Sequence, residues 1–99
     1  MRETLGEFEQ LVLLAVLSLE GGAFAAEIRR RIEAAAERSV SRGALYATLD
    51  RLEAKGFLGW EPGARRRFVV TREGVAALRR SLEAVKRLTR GLERRLGSA

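Results

Sequence analysis

The stretch SVSRGALYATLDRLEAKGFL, residues 39–58, decides the fold of this chain. Near its start, Ser41 has a side-chain oxygen that can accept a hydrogen bond from the first free amides of a helix. At its end, Lys55-Gly56 provide a cation for the last turn and a glycine that readily takes the left-handed conformation. The buried face is predicted from three leucines at helical spacing, Leu45, Leu49 and Leu52.

The opposite face of this helix carries mostly small side chains. At about 100° per residue it presents Gly43, Ala47, Asp50 and Ala54. Only Arg42 and Tyr46 are bulky there, and both lie near the start of the helix. A helix of this kind suits a flat or grooved partner such as DNA.

Cysteine and histidine are absent from all 99 residues. This excludes disulfides, thiol chemistry, the common zinc sites and the usual general base near neutral pH. We therefore predict no catalytic residue, no metal site and no cofactor, and we do not expect an enzyme. The length suits one small domain with a modest core, to which a second copy would add.

The net charge of +6 is unevenly distributed. Residues 1–56 hold eight basic and nine acidic side chains, whereas residues 57–99 hold eleven and four. All the basic residues except Lys55 and Lys86 are arginine, whose planar guanidinium suits phosphates and base edges. A localised basic half predicts a polyanionic partner.

No segment predicts a membrane span or a signal peptide. The longest apolar run, residues 11–17, is far shorter than the roughly 18–20 residues that cross a bilayer. The first residues include Glu3, Glu7 and Glu9, unlike the basic start of a signal peptide. We expect a cytoplasmic protein without a membrane partner.

The first helix is expected to begin at the T-x-x-E pattern of Thr4 and Glu7. From Leu5 to Leu19 its apolar residues cover nearly the whole circumference. Such a helix must be buried on several sides. It lies either between two copies of the chain or at the centre of one chain, and we favour the first arrangement.

A second helix is predicted from Phe24 to about Glu37, with Ile28 and Ile32 in the core. Arg29–Arg31 on this helix either contact phosphate or form a solvated face. After a short connector, in which Val40 is expected to be buried, comes the helix described first. Two short helices joined by a tight turn predict a helix-turn-helix.

A β-hairpin, the wing, is predicted next. Two runs rich in aromatic and β-branched residues flank Pro62-Gly63, which suits a type II turn. Arg65, Arg66 and Arg67 lead into the returning strand. They are either ordinary charges of an edge strand or contacts to DNA phosphates or the minor groove, and we favour DNA.

The last helix is expected to run without a break from residue 72, after the capping residue Thr71, with fraying at residues 97–99. Apolar residues alternate spacings of three and four, a pattern typical of helix dimers, at Val75, Leu78, Leu82, Val85, Thr89, Leu92 and Leu96. The alternative is packing against helix 1 of the same chain. The predicted dimerisation residues are Leu13, Val16, Leu78, Leu82, Val85 and Leu92.

The predicted fold is therefore mainly α with a small β-hairpin. Residues 1–71 form a winged helix-turn-helix DNA-binding domain, and residues 72–99 form a C-terminal dimerisation helix of the same compact unit. The expected partners are double-stranded DNA and a second copy of the chain.

Four segments resemble the PadR family of bacterial transcriptional regulators. They are LGEFEQLVLLAVLSL (5–19), AAEIRRRIE (25–33), SVSRGALYATLDRLEAKGFL (39–58) and RRRFVVTREGVAAL (65–78). The resemblance implies a homodimer that represses transcription by binding a pseudo-palindromic operator. The DNA-binding residues that we predict, partly from this resemblance, are Ser39, Ser41, Arg42, Gly43, Tyr46, Arg51, Arg65, Arg66 and Arg67.

The chain departs from the family pattern in three places. Family members usually have a longer wing, and paired tyrosines where this chain has Phe68 and Val69. Some relatives bind flat aromatic compounds with an aromatic residue of the last helix, but residues 72–99 contain none. A small-molecule effector is therefore unsupported.

A second hypothesis is a winged-helix module that binds an acidic protein and does not recognise DNA. Asp50 favours it, because a carboxylate on the outer face of the third helix repels phosphate. The same side chain could instead accept a hydrogen bond from cytosine N4, or pair with Arg51 or Arg42.

Overall fold

The computed structural model describes residues 4–97, except the side chain of Glu93. Its elements, in chain order, are α1 (Glu7–Ser18), α2 (Ala25–Ala36), α3 (Arg42–Ala54), β1 (Leu58–Glu61), β2 (Arg67–Val70), α4 (Arg72–Thr89) and α5 (Glu93–Gly97). The strands pair antiparallel, with Trp60 opposite Phe68. This order confirms the predicted winged helix-turn-helix. Every helix within residues 4–97 is too short or too polar to cross a bilayer.

The core lies where α1, α2 and α3 meet the hairpin. The three leucines of α3 are fully buried, as predicted, and so are Ile28 and Ile32 of α2. Phe68 of β2 is also fully buried and closes the core from the hairpin side. Since a buried leucine stabilises a fold by about 1.5–3 kcal/mol, these contacts hold α3 firmly and leave its other face outward.

The beginning of α1 differs from the prediction. The residue that precedes the helix is Gly6, and its N–H donates to Oε1 of Glu9 at 2.8 Å. The predicted Thr4–Glu7 cap is therefore wrong. Glu9 is buried and bound to Lys55, whereas the Glu7 side chain is 81% exposed. Because Lys55 is distant in sequence, its ion pair with Glu9, and not a local pattern, determines which glutamate faces the start of α1.

The predicted caps of α3 and α4 are confirmed. The N–H of Ala44 donates to Oγ of Ser41 at 3.1 Å, and the N–H of Gly74 donates to Oγ1 of Thr71 at 3.0 Å. The Thr71 hydroxyl also donates to the carbonyl of Gly56 at 2.6 Å. Thr71 therefore joins the start of α4 to the end of α3.

The hairpin connection is not the predicted type II turn. Such a turn needs a positive φ at Gly63, and Gly63 is not among the described glycines with positive φ. Residues 62–66 instead form an irregular loop between the strands. On its outer edge β2 pairs with Ala23, whose N–H donates to Phe68 O at 3.0 Å, so the hairpin is fixed to the connector between α1 and α2.

The last helix is interrupted, so the predicted unbroken helix over residues 72–99 is wrong. After α4, Arg90 is extended and Gly91 is left-handed with φ of 85°. Glycine costs about 1 kcal/mol in a helix interior and favours this conformation, so it ends α4 despite the apolar periodicity. The expected fraying at residues 97–99 falls mostly on Ser98 and Ala99, which lie outside the described residues.

Candidate nucleic-acid interface

The first half of α3 presents an exposed face with few bulky side chains. Ser41, Arg42, Gly43 and Tyr46 are all exposed there. Around Gly43, no atom beyond its own helix and its chain neighbours lies within 4 Å of the place where a Cβ would stand. A flat partner can therefore approach this backbone closely.

Arg42 and Tyr46 form a pair one helical turn apart. The guanidinium carbon of Arg42 lies 6.0 Å from the centroid of the Tyr46 ring. A cation over an aromatic face at this distance is weakly attracted, which restricts the arginine without using its N–H donors. The pair therefore presents a directed guanidinium and a phenolic hydroxyl side by side.

The connector before α3 is held in place by one buried residue. Val40 is buried, and its N–H donates to Oε2 of Glu33 on α2 at 2.8 Å. This confirms the predicted burial of Val40. Ser39 on one side of it and Ser41 on the other are exposed, and both line a shallow groove together with Arg51.

Arg51 lies further along α3 and is turned partly toward the protein. Its Nη2 donates to Oγ1 of Thr48 at 2.9 Å, and its Nε lies 3.8 Å from Oε2 of Glu9. The side chain is still 56% exposed. It can therefore reach an anion at the side of α3, but it does not project from the outer face.

The three arginines of the wing are stacked on aromatic rings. The guanidinium carbons of Arg65 and Arg67 lie 4.1 and 5.6 Å from the centroid of the Phe24 ring. Arg67 also donates from Nη1 to the carbonyl of Gly21 at 3.1 Å. These contacts hold Arg65 and Arg67 against the start of α2, so their positive charges are fixed in position on the wing.

Arg66 points to the other side of the hairpin. Its guanidinium carbon lies 5.4 Å from the ring of Trp60 and 5.3 Å from the ring of Phe68. Its Nη1 also lies 3.5 Å from Oε2 of Glu53 on α3. Sequence reasoning missed Phe24 and Glu53 as partners of the wing. No local pattern indicates them, because they are far from the wing arginines in sequence and meet them only in the fold.

Acidic groups near this surface are few. Asp50 is exposed on the outer face of α3, as predicted, and Glu53 faces the hairpin. Within residues 4–97, no group of three or more acidic side chains is placed to hold a metal ion. The surface is therefore mainly basic, and Asp50 is the one exposed carboxylate of α3.

The predicted dimerisation residues fall into two groups. Leu13, Val16 and Leu78 are buried in the core of a single chain. Leu82, Val85 and Leu92 are exposed, and so are the unpredicted Leu14, Leu17 and Leu88. Leu14 and Leu17 line a groove of about 350 Å³ together with Leu78 and Leu82, because α1 and α4 pack against each other within one chain.

A sequence profile of the PadR-like family of transcriptional regulators matches residues 13–80, more than half of the chain. No curated protein matches the chain in sequence. Among solved structures, RosR from H. salinarum is 26% identical, with a TM-score of 0.71 over 82% of this chain and 74% of its own.

Two further solved structures share the fold. A PadR-like transcription factor from B. fragilis is 22% identical, with a TM-score of 0.72 over 88% of this chain and 87% of its own. A winged-helix DNA-binding protein from STIV is 21% identical, with a TM-score of 0.70 over 86% and 95%. Together with the profile match, which spans α1 to α4, these findings show that the chain belongs to the PadR-like family of transcriptional regulators.

Proposed function

We propose that this protein is a sequence-specific, DNA-binding transcriptional repressor that acts in the cytoplasm as a homodimer on a pseudo-palindromic operator. One observation carries the proposal. The first half of α3 exposes a nearly bare face from which Arg42 and Tyr46 project, and the basic wing contacts the same helix through Arg66 and Glu53.

The contacts divide into two kinds. In the major groove, Arg42 and Tyr46 contact base edges, and Gly43 allows the helix backbone to come close. Ser39, Ser41 and Arg51 bind phosphates beside the helix, and the arginines of the wing bind phosphates farther out. Most of the affinity then comes from arginine–phosphate contacts, and most of the sequence preference comes from α3.

A dimer places two α3 helices on one face of the duplex, about 34–36 Å apart. The exposed apolar residues of α1 and α4 support it, because Leu82 and Val85 are 42% and 50% exposed next to the groove of Leu14 and Leu17. Pairing these surfaces removes apolar area from water, the main driving force of association. The 1–71 and 72–99 regions then act as the DNA-binding and dimerisation parts of one unit.

Selection of bound fragments from a random DNA pool tests the proposal. We expect one enriched, inverted-repeat sequence, and an affinity that falls steeply with salt. Arg42→Ala should weaken binding to that sequence by about 1–3 kcal/mol and relax the preference at one position in each half-site. Arg30→Ala, an exposed arginine of α2, is the matched control and should leave the preference unchanged. Equal binding to all sequences would contradict the proposal.

The exposure of Asp50 favours a second candidate, a module that binds an acidic protein. The Asp50→Asn variant distinguishes the DNA-binding regulator from the protein-binding module. A DNA-binding protein gains affinity for all duplexes, because a negative charge is removed next to phosphates. A protein-binding module shows no duplex binding in either form.

A further inference from the structure

Glu53 belongs to α3, but its carboxylate contacts the wing. Its Oε1 accepts a hydrogen bond from Nε1 of Trp60 at 2.8 Å. Its Oε2 lies 3.5 Å from Nη1 of Arg66. The Glu53 side chain is only 25% exposed, so this carboxylate lies between the helix and the hairpin.

The contact with Glu53 leaves the donors of Arg66 unoccupied. Among the described residues, Oε2 of Glu53 has no hydrogen-bond partner, so Arg66 is held there by charge and by the rings of Trp60 and Phe68. A guanidinium has five N–H donors. Arg67 differs, because its Nη1 is already bound to the carbonyl of Gly21.

The hairpin is fixed to the rest of the domain from two sides. Backbone hydrogen bonds join β2 to Ala23, which fixes the hairpin to the connector before α2. Glu53 makes the corresponding side-chain link from α3 through Trp60 of β1. A wing and a helix that bind one duplex together must keep a fixed separation, and an arrangement fixed in advance avoids the cost of ordering it on binding.

We propose that Glu53 is a positioning residue for DNA recognition. It fixes the wing relative to α3 through Trp60, and it presents Arg66 with free donors to a phosphate of the operator. This inference rests on the proposed DNA-binding function. An ordinary surface ion pair would contribute little to stability and would not affect the choice of DNA sequence.

The test compares Glu53→Gln with Glu61→Gln. Both remove one negative charge, but Glu61 is exposed at the end of β1 and Glu53 contacts Trp60 and Arg66. The measured quantity is the ratio of the affinity for the selected operator to the affinity for a random duplex. The glutamine at position 53 can still accept from Trp60 but cannot neutralise Arg66.

We expect Glu53→Gln to lower this ratio about fivefold, equivalent to about 1 kcal/mol. Glu61→Gln should leave the ratio unchanged, because it raises both affinities equally. Trp60→Phe keeps a ring beneath Arg66 and removes the N–H donor, so it should also lower the ratio. Melting temperatures show which variants fold. If Glu53→Gln does not fold, Trp60→Phe takes its place in the comparison with Glu61→Gln.

A folded Glu53→Gln or Trp60→Phe protein with the wild-type ratio would overturn this inference and leave the proposed function standing. Wild-type protein that binds no duplex would overturn the proposed function itself. The link can also be measured without DNA, since Trp60 is the sole tryptophan. Acrylamide should quench its fluorescence more strongly in Glu53→Ala than in Glu61→Ala, and equal quenching would show that Glu53 does not hold Trp60.

Discussion

Lys55 and Glu9 join the end of α3 to the start of α1. The ammonium of Lys55 donates to both carboxylate oxygens of Glu9, at 3.1 and 2.9 Å, and to the carbonyl of Thr4 at 3.2 Å. Glu9 is buried, so this is a shielded ion pair that screening by salt weakens little. The pair fixes the direction of α3, and with it the direction of the face that carries Arg42.

The first prediction concerns stability at acid pH. Burial of the Glu9 carboxyl raises its pKa, but the hydrogen bonds from Gly6 and Lys55 lower it. The charges of Lys55 and Arg51 lower it further, and the net effect holds the pKa of Glu9 below its ordinary value of 4.5. The pKa of Glu9 is therefore lower in the folded state than in the unfolded state. The carboxylate stabilises the fold above pH 4.5, and this stabilisation is lost as the pH falls through the folded-state pKa.

Glu9→Gln should therefore reduce the free energy of unfolding by about 1–3 kcal/mol at pH 7. The difference from wild type should shrink as the pH is lowered, because the wild-type carboxylate then becomes neutral as well. Urea denaturation over a pH series measures both quantities. Glu7→Gln is the control, since the exposed Glu7–Arg38 pair at 3.4 Å is worth about 0–1 kcal/mol. A constant difference at all pH values would contradict the role of the charge.

The second prediction concerns Gly74, in the first turn of α4. A Cβ added there would fall on the carbonyl oxygen of Phe57 and lie 2.8 Å from Cγ1 of Val70. Since backbone must move to make room, Gly74→Ala should destabilise the protein by about 1–3 kcal/mol. Thermal unfolding followed by circular dichroism measures the loss. An unchanged melting temperature would show that α4 does not pack this closely on Phe57.

Gly43→Ala is the matched substitution at a helical glycine with open space around it. Alanine favours a helix over glycine, so the free energy of unfolding should rise by about 0.5–1 kcal/mol. On the proposed DNA-binding face, the added methyl should nevertheless weaken operator binding, because it separates the helix from the groove. Chemical denaturation and a binding titration measure the two effects. Tighter operator binding by this variant would place Gly43 outside the contact surface.

The last prediction concerns the exposed apolar surface of α4. Replacing Leu82 and Val85 together with glutamate should give a monomer by light scattering, because charges would be buried between the copies. The control is Ala76→Glu with Arg87→Gln, which changes the net charge equally on the opposite side of α4. An unchanged mass for the first variant would exclude this surface as the dimer contact.

Local patterns predicted much of this fold. The leucine spacing of α3 and the caps at Ser41 and Thr71 depend on residues within one or two turns, so the sequence shows them directly. The same kind of argument failed at the start of α1, where Thr4 and Glu7 matched a local rule. It failed again at Gly91, where a long apolar periodicity hid the end of α4.

The features of the candidate interface likewise fall into two groups, those that local patterns predict and those that depend on tertiary contacts. Exposure of Arg42, Gly43 and Tyr46 follows from helical geometry once the leucines of α3 are buried. Stacking of Arg65 on Phe24 does not, because two distant segments must first be brought together. The burial of Leu13 and Leu78 likewise depends on α4 packing against α1 in the same chain.

By itself, the sequence determined the helix-turn-helix, the hairpin and the exposed face of α3, because periodicity and capping act over short distances. The tertiary structure alone decided that Glu9 rather than Glu7 faces the start of α1 and that Lys55 binds it. It also decided that Glu53 of α3 contacts Trp60 and Arg66. These are ion pairs and hydrogen bonds between segments distant in the chain, and their energies depend on distances that exist only after the core has formed.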